Sequence, residues 1–190
     1  MSDGSIIREY LDQLDAQLET VVQMLDDTAP AKLWDTPTLE TWSIGEQLYH
    51  LTAWLRCYRR RLELFYRAFY PVGWLLRNRP YPVEIDDVFS RPRYPNYVGF
   101  LCAPRHIPDR SLALGTLIER LSKGHDLVRE FYVDKPERIL GHVWLYDTAI
   151  GWVNLIQSLQ IAVYHDQHHF DKIGELCVTS VDQDTEDELL

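Results

Sequence analysis

The chain has 190 residues, 46% hydrophobic and 25% charged, which suits one globular domain large enough to bury a core without staples. A net charge of −10 argues against a general nucleic-acid binder. Three widely spaced cysteines (Cys57, Cys102 and Cys177) with no CxxC pair point to neither a disulfide framework nor a thiolate zinc site. Met1–Ser5 lacks the charged-then-apolar pattern of a leader, and no apolar run reaches membrane-spanning length. The expectation is a soluble protein of the reducing cytoplasm that neither enters a membrane nor binds nucleic acid.

Apolar positions Ile7, Leu11, Leu14, Leu18, Val21 and Leu25 alternate by three and four, predicting a first amphipathic helix over 5–26. A loop with Pro30 and Pro37 follows. Ser43 with Glu46 three residues on is a capping box, so a second helix should start at Ser43. Trp42, just before the cap, is placed to pack back onto the first turn. Ile44, Leu48, Leu51, Leu55, Tyr58, Leu62, Phe65 and Phe69 carry the apolar stripe as far as Pro71.

From Pro71 to Asp109 periodicity fails, and seven prolines mark a long irregular connection with at most a short helical turn at 72–77. Residues 56–110 hold eleven arginines against five acids, a local +6 that leaves −16 for the remainder. This is either a solvated basic face or the rim of a pocket for an anionic ligand. A third helix follows Asp109, with Leu112, Leu114, Leu117, Leu121, Leu127, Val128 and Phe131 as its apolar set, and stops before Pro136. After a loop at 141–146, Asp147 can cap a fourth helix to about Cys177. The acidic residues 179–190 form a frayed tail. Short connections for helices 1–2 and 3–4 and a long crossover for 2–3 predict an all-α, up-down-down-up four-helix bundle in one domain, residues 1–178.

The fourth helix carries Tyr164-His165-Asp166-Gln167-His168-His169-Phe170-Asp171-Lys172-Ile173. Residues four apart share a helix face, so His165 and His169 can direct two imidazoles at one divalent transition metal. His50 lies about two turns into the second helix, and the pair about two turns before the expected end of the fourth. If these helices are antiparallel, all three histidines reach one level of the core. Ser158 and Ala162 below the pair leave space, and Gln47, Trp54, Cys57 and Arg61, following the line of His50, are candidate walls of that space. Asp166 and Asp171 are candidates to orient ligand histidines, although Asp166 is turned about 100° from His165 and suits solvent equally well. Glu46 reads as the capping acid rather than a general base.

Trp42-Ser43-x-x-Glu46-x-x-x-His50-Leu51, with His165-x-x-His168-His169-x-x-x-Ile173 downstream, resembles the DinB-like superfamily of bacterial four-helix bundles. Its pattern is W-S-x-x-E-x-x-x-H opening the second helix and H-x-x-[HQ]-H-x-x-Q-[IL] in the last, and the resemblance spans roughly residues 5–176. It implies an up-down-down-up bundle, frequent homodimers, and a nickel, zinc or iron ion held by three histidines. By position the ligands are His50, His165 and His169, with His168 where the family often has a non-ligand histidine. Lys172 replaces the family's Gln, and the proline-rich connection is longer than expected, so substrate preference does not carry over.

Three neutral imidazoles would leave such an ion open positions for water or substrate, pointing to hydrolysis, or to S-transfer with a low-molecular-weight thiol as cosubstrate, on a small-molecule substrate. The resemblance covers both, since members include thiol S-transferases, a thiol-dependent isomerase and hydrolases. Arg61 or a crossover arginine is a candidate for binding the thiol's carboxylates. No catalytic base stands out. The alternative is a non-catalytic metal-containing bundle with a structural, sensing or partner-binding role.

Overall fold

A computed structural model describes residues 5–26, 28–36, 41–90, 108–147 and 150–187, those beyond 178 as backbone only. The protein is mainly helical. α1 spans Ile6–Leu25, a 3-10 turn Pro30–Trp34, α2 Ile44–Leu76, α3 Leu114–Val133, the short α4 Glu137–Leu140, and α5 Leu155–Asp187. One antiparallel hairpin, β1 Trp144–Asp147 with β2 Gly151–Asn154, precedes α5 and pairs Trp144 with Asn154 and Asp147 with Gly151. None of the helices among the described residues is long and apolar enough to cross a membrane.

The apolar stripes form the core. Ile7, Leu11, Leu14, Val21 and Leu25 of α1 meet Leu48, Leu51, Leu55, Tyr58 and Leu62 of α2, Leu117, Leu121, Val128 and Phe131 of α3, and Leu155, Ile156, Leu159, Ala162 and Ile173 of α5. α1 packs chiefly on α5, α2 on α3, and α2 also on α5. Gln17 of α1 donates to Gln167 of α5, and Arg129 of α3 pairs with Asp12 and Asp15 of α1.

Four details differ from the sequence expectation. α2 does not stop at Pro71 but carries it internally to Leu76, absorbing the predicted turn at 72–77. An interior proline costs about 3 kcal/mol. The added turn packs closely on α4 at Gly73, where a Cβ would lie 3.0 Å from both the Cγ2 and the carbonyl oxygen of Ile139. Second, the fourth long helix begins at Leu155, not after Asp147, which instead accepts from Ile150 N in the hairpin. Its start is set by Asn154 and Gln157, where Gln157 N donates to Asn154 Oδ1 at 2.9 Å and Asn154 N to Gln157 Oε1 at 3.1 Å. This reciprocal pair is an Asn/Gln version of a capping box. Third, the helix continues past Cys177 to Asp187.

The fourth difference is in the long connection, where residues 77–90 run as a strap along α5. Buried Asn154, Gln157 and Gln160, spaced by three, tie down its backbone. Asn154 Nδ2 donates to Pro82 O, Gln157 Nε2 donates to Glu84 O, and Gln160 Oε1 accepts from Ile85 N. Side chains supply the partners that a sheet ladder would otherwise give this backbone. Residues 91–107, with Cys102, Arg91, Arg93 and Arg105, lie outside the described residues.

Candidate metal centre

The first turn of α2 places two site residues. Ser43 Oγ accepts from Glu46 N and Glu46 Oε2 accepts from Ser43 N, closing the capping box. Glu46 also pairs with Arg110 at 2.9 Å, so it is engaged as a structural acid. Gly45 lets the 3-10 turn close in, since a Cβ there would sit 2.6 Å from the Trp34 ring. Trp34 thus packs against the first turn of α2. From this start Gln47, His50, Trp54 and Tyr58 follow at three- and four-residue steps and share one face.

That face meets α5 in reverse order. Gln47 contacts His169, His50 contacts His165 and His169, Trp54 stacks on His165 at 4.3 Å between centroids, and Tyr58 bonds Ser158 at 2.8 Å. The two helices are therefore antiparallel here. The level-matching of helix ends is corrected, because α5 runs on to Asp187 and the histidines sit in its first half.

His50, His165 and His169 are each buried, with ligand nitrogens all within 4.8 Å of one another. His50 Nε2 and His165 Nε2 are 3.3 Å apart. Burial, then the neighbouring His165, pushes the His50 imidazole down to about 3. Burial followed by His165 and His50 holds His169 well below its ordinary value. Neutral rings present lone pairs, as metal ligation requires. Gln47 Oε1 lies 2.5 Å from His169 Nδ1 and can only accept, so the proton sits on Nδ1 and Nε2 is free. Three converging ring nitrogens, one with its tautomer set from outside, form a donor set that could hold one divalent metal ion.

Behind His165 lies Asp166, one of the two acids the sequence offers for orienting a ligand histidine, together with a partner the sequence reading missed, His125. Asp166 is fully buried and lies 3.7 Å from His165 Nδ1 and 2.8 Å from His125 Nε2 on α3. Burial alone would raise its carboxyl, but His125 and His165 outweigh that and hold it below the usual carboxylate range. The solvent-facing alternative for Asp166 is thus corrected, because α5 is enclosed on several sides and a 100° turn from His165 still points into protein. A signal existed, since His125 falls in the apolar stripe Leu117, Leu121, His125, Val128 of α3. Asp171, by contrast, is exposed and accepts from Gln167.

The surroundings are aromatic. Trp42, 45% exposed, lies 5.0 Å from the His50 ring and parallel to His169 at 6.1 Å. Phe89, delivered by the strap, lies 5.5 Å from both His165 and His168. His168 is half-buried and outside the three-histidine cluster. The gap expected beside Ser158 is largely filled by the hydroxyls of Tyr58 and Tyr132, which bond each other at 2.9 Å. What remains is about 20 Å3, lined by Trp54, Cys57, Tyr58, Arg61 and Ser158 among others, room for about one water. Arg61 there donates to Tyr146 O. Arg59 and Arg67 pair with Glu63, and Arg77 lies over Trp74, so these arginines are engaged at the surface.

Residues 6–173 match the DinB superfamily. No curated protein matches the chain.

Proposed function

The chain belongs to the DinB superfamily, and we propose that it is a metalloprotein in which His50, His165 and His169 hold one divalent transition-metal ion, with a small-molecule reaction at its open positions. The observation that carries this reading is the convergence of three buried imidazoles from two helices. Bound there, zinc, nickel or iron would supply a Lewis acid able to lower the pKa of a water ligand to about 7 or to take up a thiolate. The chain's own residues set the donor count, flank the cluster with the rings of Trp42 and Phe89, and fix the His169 tautomer through Gln47. Thiol-dependent S-transfer and small-molecule hydrolysis are the reactions that suit this donor set, with a low-molecular-weight thiol as cosubstrate in the first.

A second reading, a non-catalytic metal-binding bundle, is favoured by the turning of Asp166 toward His125, which leaves no acid among the described residues facing the open side of the cluster as a general base. Two measurements test these readings. Purified protein should carry about one metal per chain by elemental analysis, lost in His50→Ala; metal-free wild type under metal-replete conditions would end the metal reading. Loaded protein should then accelerate thiol consumption with a model electrophile or hydrolysis of an activated ester. No metal-dependent rate in either assay leaves the binding bundle.

The reading includes an up-down-down-up order of α1, α2, α3 and α5 in one domain, residues 1–178 with an acidic tail. It is supported by the reversed contacts of α2 with α5 and by the matched order of Leu55 with Gly124 and Tyr66 with Phe131 between α2 and α3. It also includes a cytoplasmic homodimer. Leu64, Val72 and Leu75, exposed along one side of α2, suit a partner surface, and light scattering on the purified chain tests it.

A further inference from the structure

Buried polar atoms in folded proteins are nearly always hydrogen-bonded, and each exception calls for a cause. Among the described residues, six buried side-chain atoms lack a hydrogen-bond partner, and five belong to one cluster: both ring nitrogens of His125, Nδ1 of His165, and both carboxylate oxygens of Asp166. They are not far apart. His125 Nε2 approaches Asp166 Oδ2 to 2.8 Å and His165 Nδ1 approaches Oδ1 to 3.7 Å, so the groups face one another in poor alignment. His125 is 4% exposed and Asp166 0%. A carboxylate so deep is retained at a stability cost unless something uses its charge.

His165 shows what that use is. Its Nε2 faces His50 and the centre of the cluster, while its Nδ1 faces Asp166. The three cluster histidines bring no negative charge of their own, and a divalent ion among them would be a buried +2. Asp166 is the buried carboxylate behind the cluster, and it is braced from α3, a helix that contributes no histidine to the triad.

We propose that Asp166, braced by His125, is the positioning carboxylate of the site: it holds the outer nitrogen of His165 so that the inner nitrogen points at the metal, and it supplies the negative charge that the three imidazoles lack. His125 thereby ties α3 into a centre otherwise built from α2 and α5. This rests on the metal reading above and assigns neither residue contact with substrate.

The test uses the full chain and zinc(II) alone, titrated in competition with a chromophoric chelator. Asp166→Asn keeps the side-chain shape and removes the charge. The expected result is one zinc per chain with affinity lowered about 10- to 100-fold, the usual effect of losing a carboxylate behind a ligand histidine. The thermal midpoint of the metal-free chain should not fall in parallel, whereas a merely structural residue would lower that midpoint and leave zinc affinity unchanged. Should Asp166→Asn not fold, His125→Gln and His125→Leu decide. Gln keeps an N–H toward Asp166 and should bind zinc within about threefold of wild type, while Leu should lose about tenfold or more. Affinity within twofold of wild type in Asp166→Asn, or in His125→Leu if the first variant does not fold, overturns the proposal. Failure of the metal reading looks different, because wild type and His50→Ala would then both bind no zinc.

Discussion

Gln47 and His168 show how little sequence position alone says about a role at this centre. Gln47 is buried with its amide oxygen on His169 Nδ1, whereas His168 is adjacent to a cluster histidine yet stacks on Phe89 outside the group. Gln47→Leu preserves volume but strands a buried N–H, which costs about 1–3 kcal/mol. It also releases the tautomer of His169, so zinc affinity should fall about tenfold or more by chelator competition. His168→Ala should leave both stoichiometry and affinity within about twofold. A large loss in the second variant together with none in the first would reverse the assignment of these side chains. The pKa directions agree with this picture, since His50 and His169 are held neutral by burial and need no acid dissociation before ligation.

At the level of elements, two caps decide where the site sits along its helices. The Ser43–Glu46 box puts Gln47 and His50 within the first two turns of α2, and the Asn154–Gln157 pair starts α5 one turn before Ser158 and three turns before His165. Ser43→Ala should cost about 1 kcal/mol, read as a lower denaturant midpoint with unchanged slope. It should not change the number of metal ions bound, because the rest of α2 is anchored by Leu48, Leu51 and Leu55 in the core. Loss of all metal in this variant would mean that the cap, rather than the packing, holds His50 in place. The strap is the other element with a consequence, since Asn154, Gln157 and Gln160 hold the backbone that carries Phe89 to the histidines. A connection that reads as irregular is therefore ordered by side chains of a helix some seventy residues away in sequence.

For the molecule as a whole, the cluster joins α2 to α5, and His125 with Asp166 joins α3 to α5. An ion that binds only the folded chain stabilises it by mass action, about 2.7 kcal/mol at one hundred times the dissociation constant. For a chain of this size that raises the thermal midpoint by roughly 5–10 °C. The shift should appear on zinc addition, reverse with chelator, and vanish in His50→Ala. A midpoint indifferent to zinc in wild type would show that the folded state has no preference for the ion.

Much of this was determined by the sequence itself. The 3-4 stripes of α1, α2 and α3 and the Ser43–Glu46 box are local patterns, and local patterns follow from backbone geometry and capping without knowledge of the fold. The four-residue spacing of His165 and His169 is of the same kind. Pro71 inside α2 and the strap could not be read this way, because each depends on partners distant in sequence: Ile139 against Gly73, and buried amides against a loop backbone. The meeting of His50 with His165, 115 residues apart, and the turning of Asp166 onto His125 are decided only when antiparallel α2 and α5 and the flanking α3 enclose one volume. A helix periodicity says which residues share a face; only packing says what that face meets.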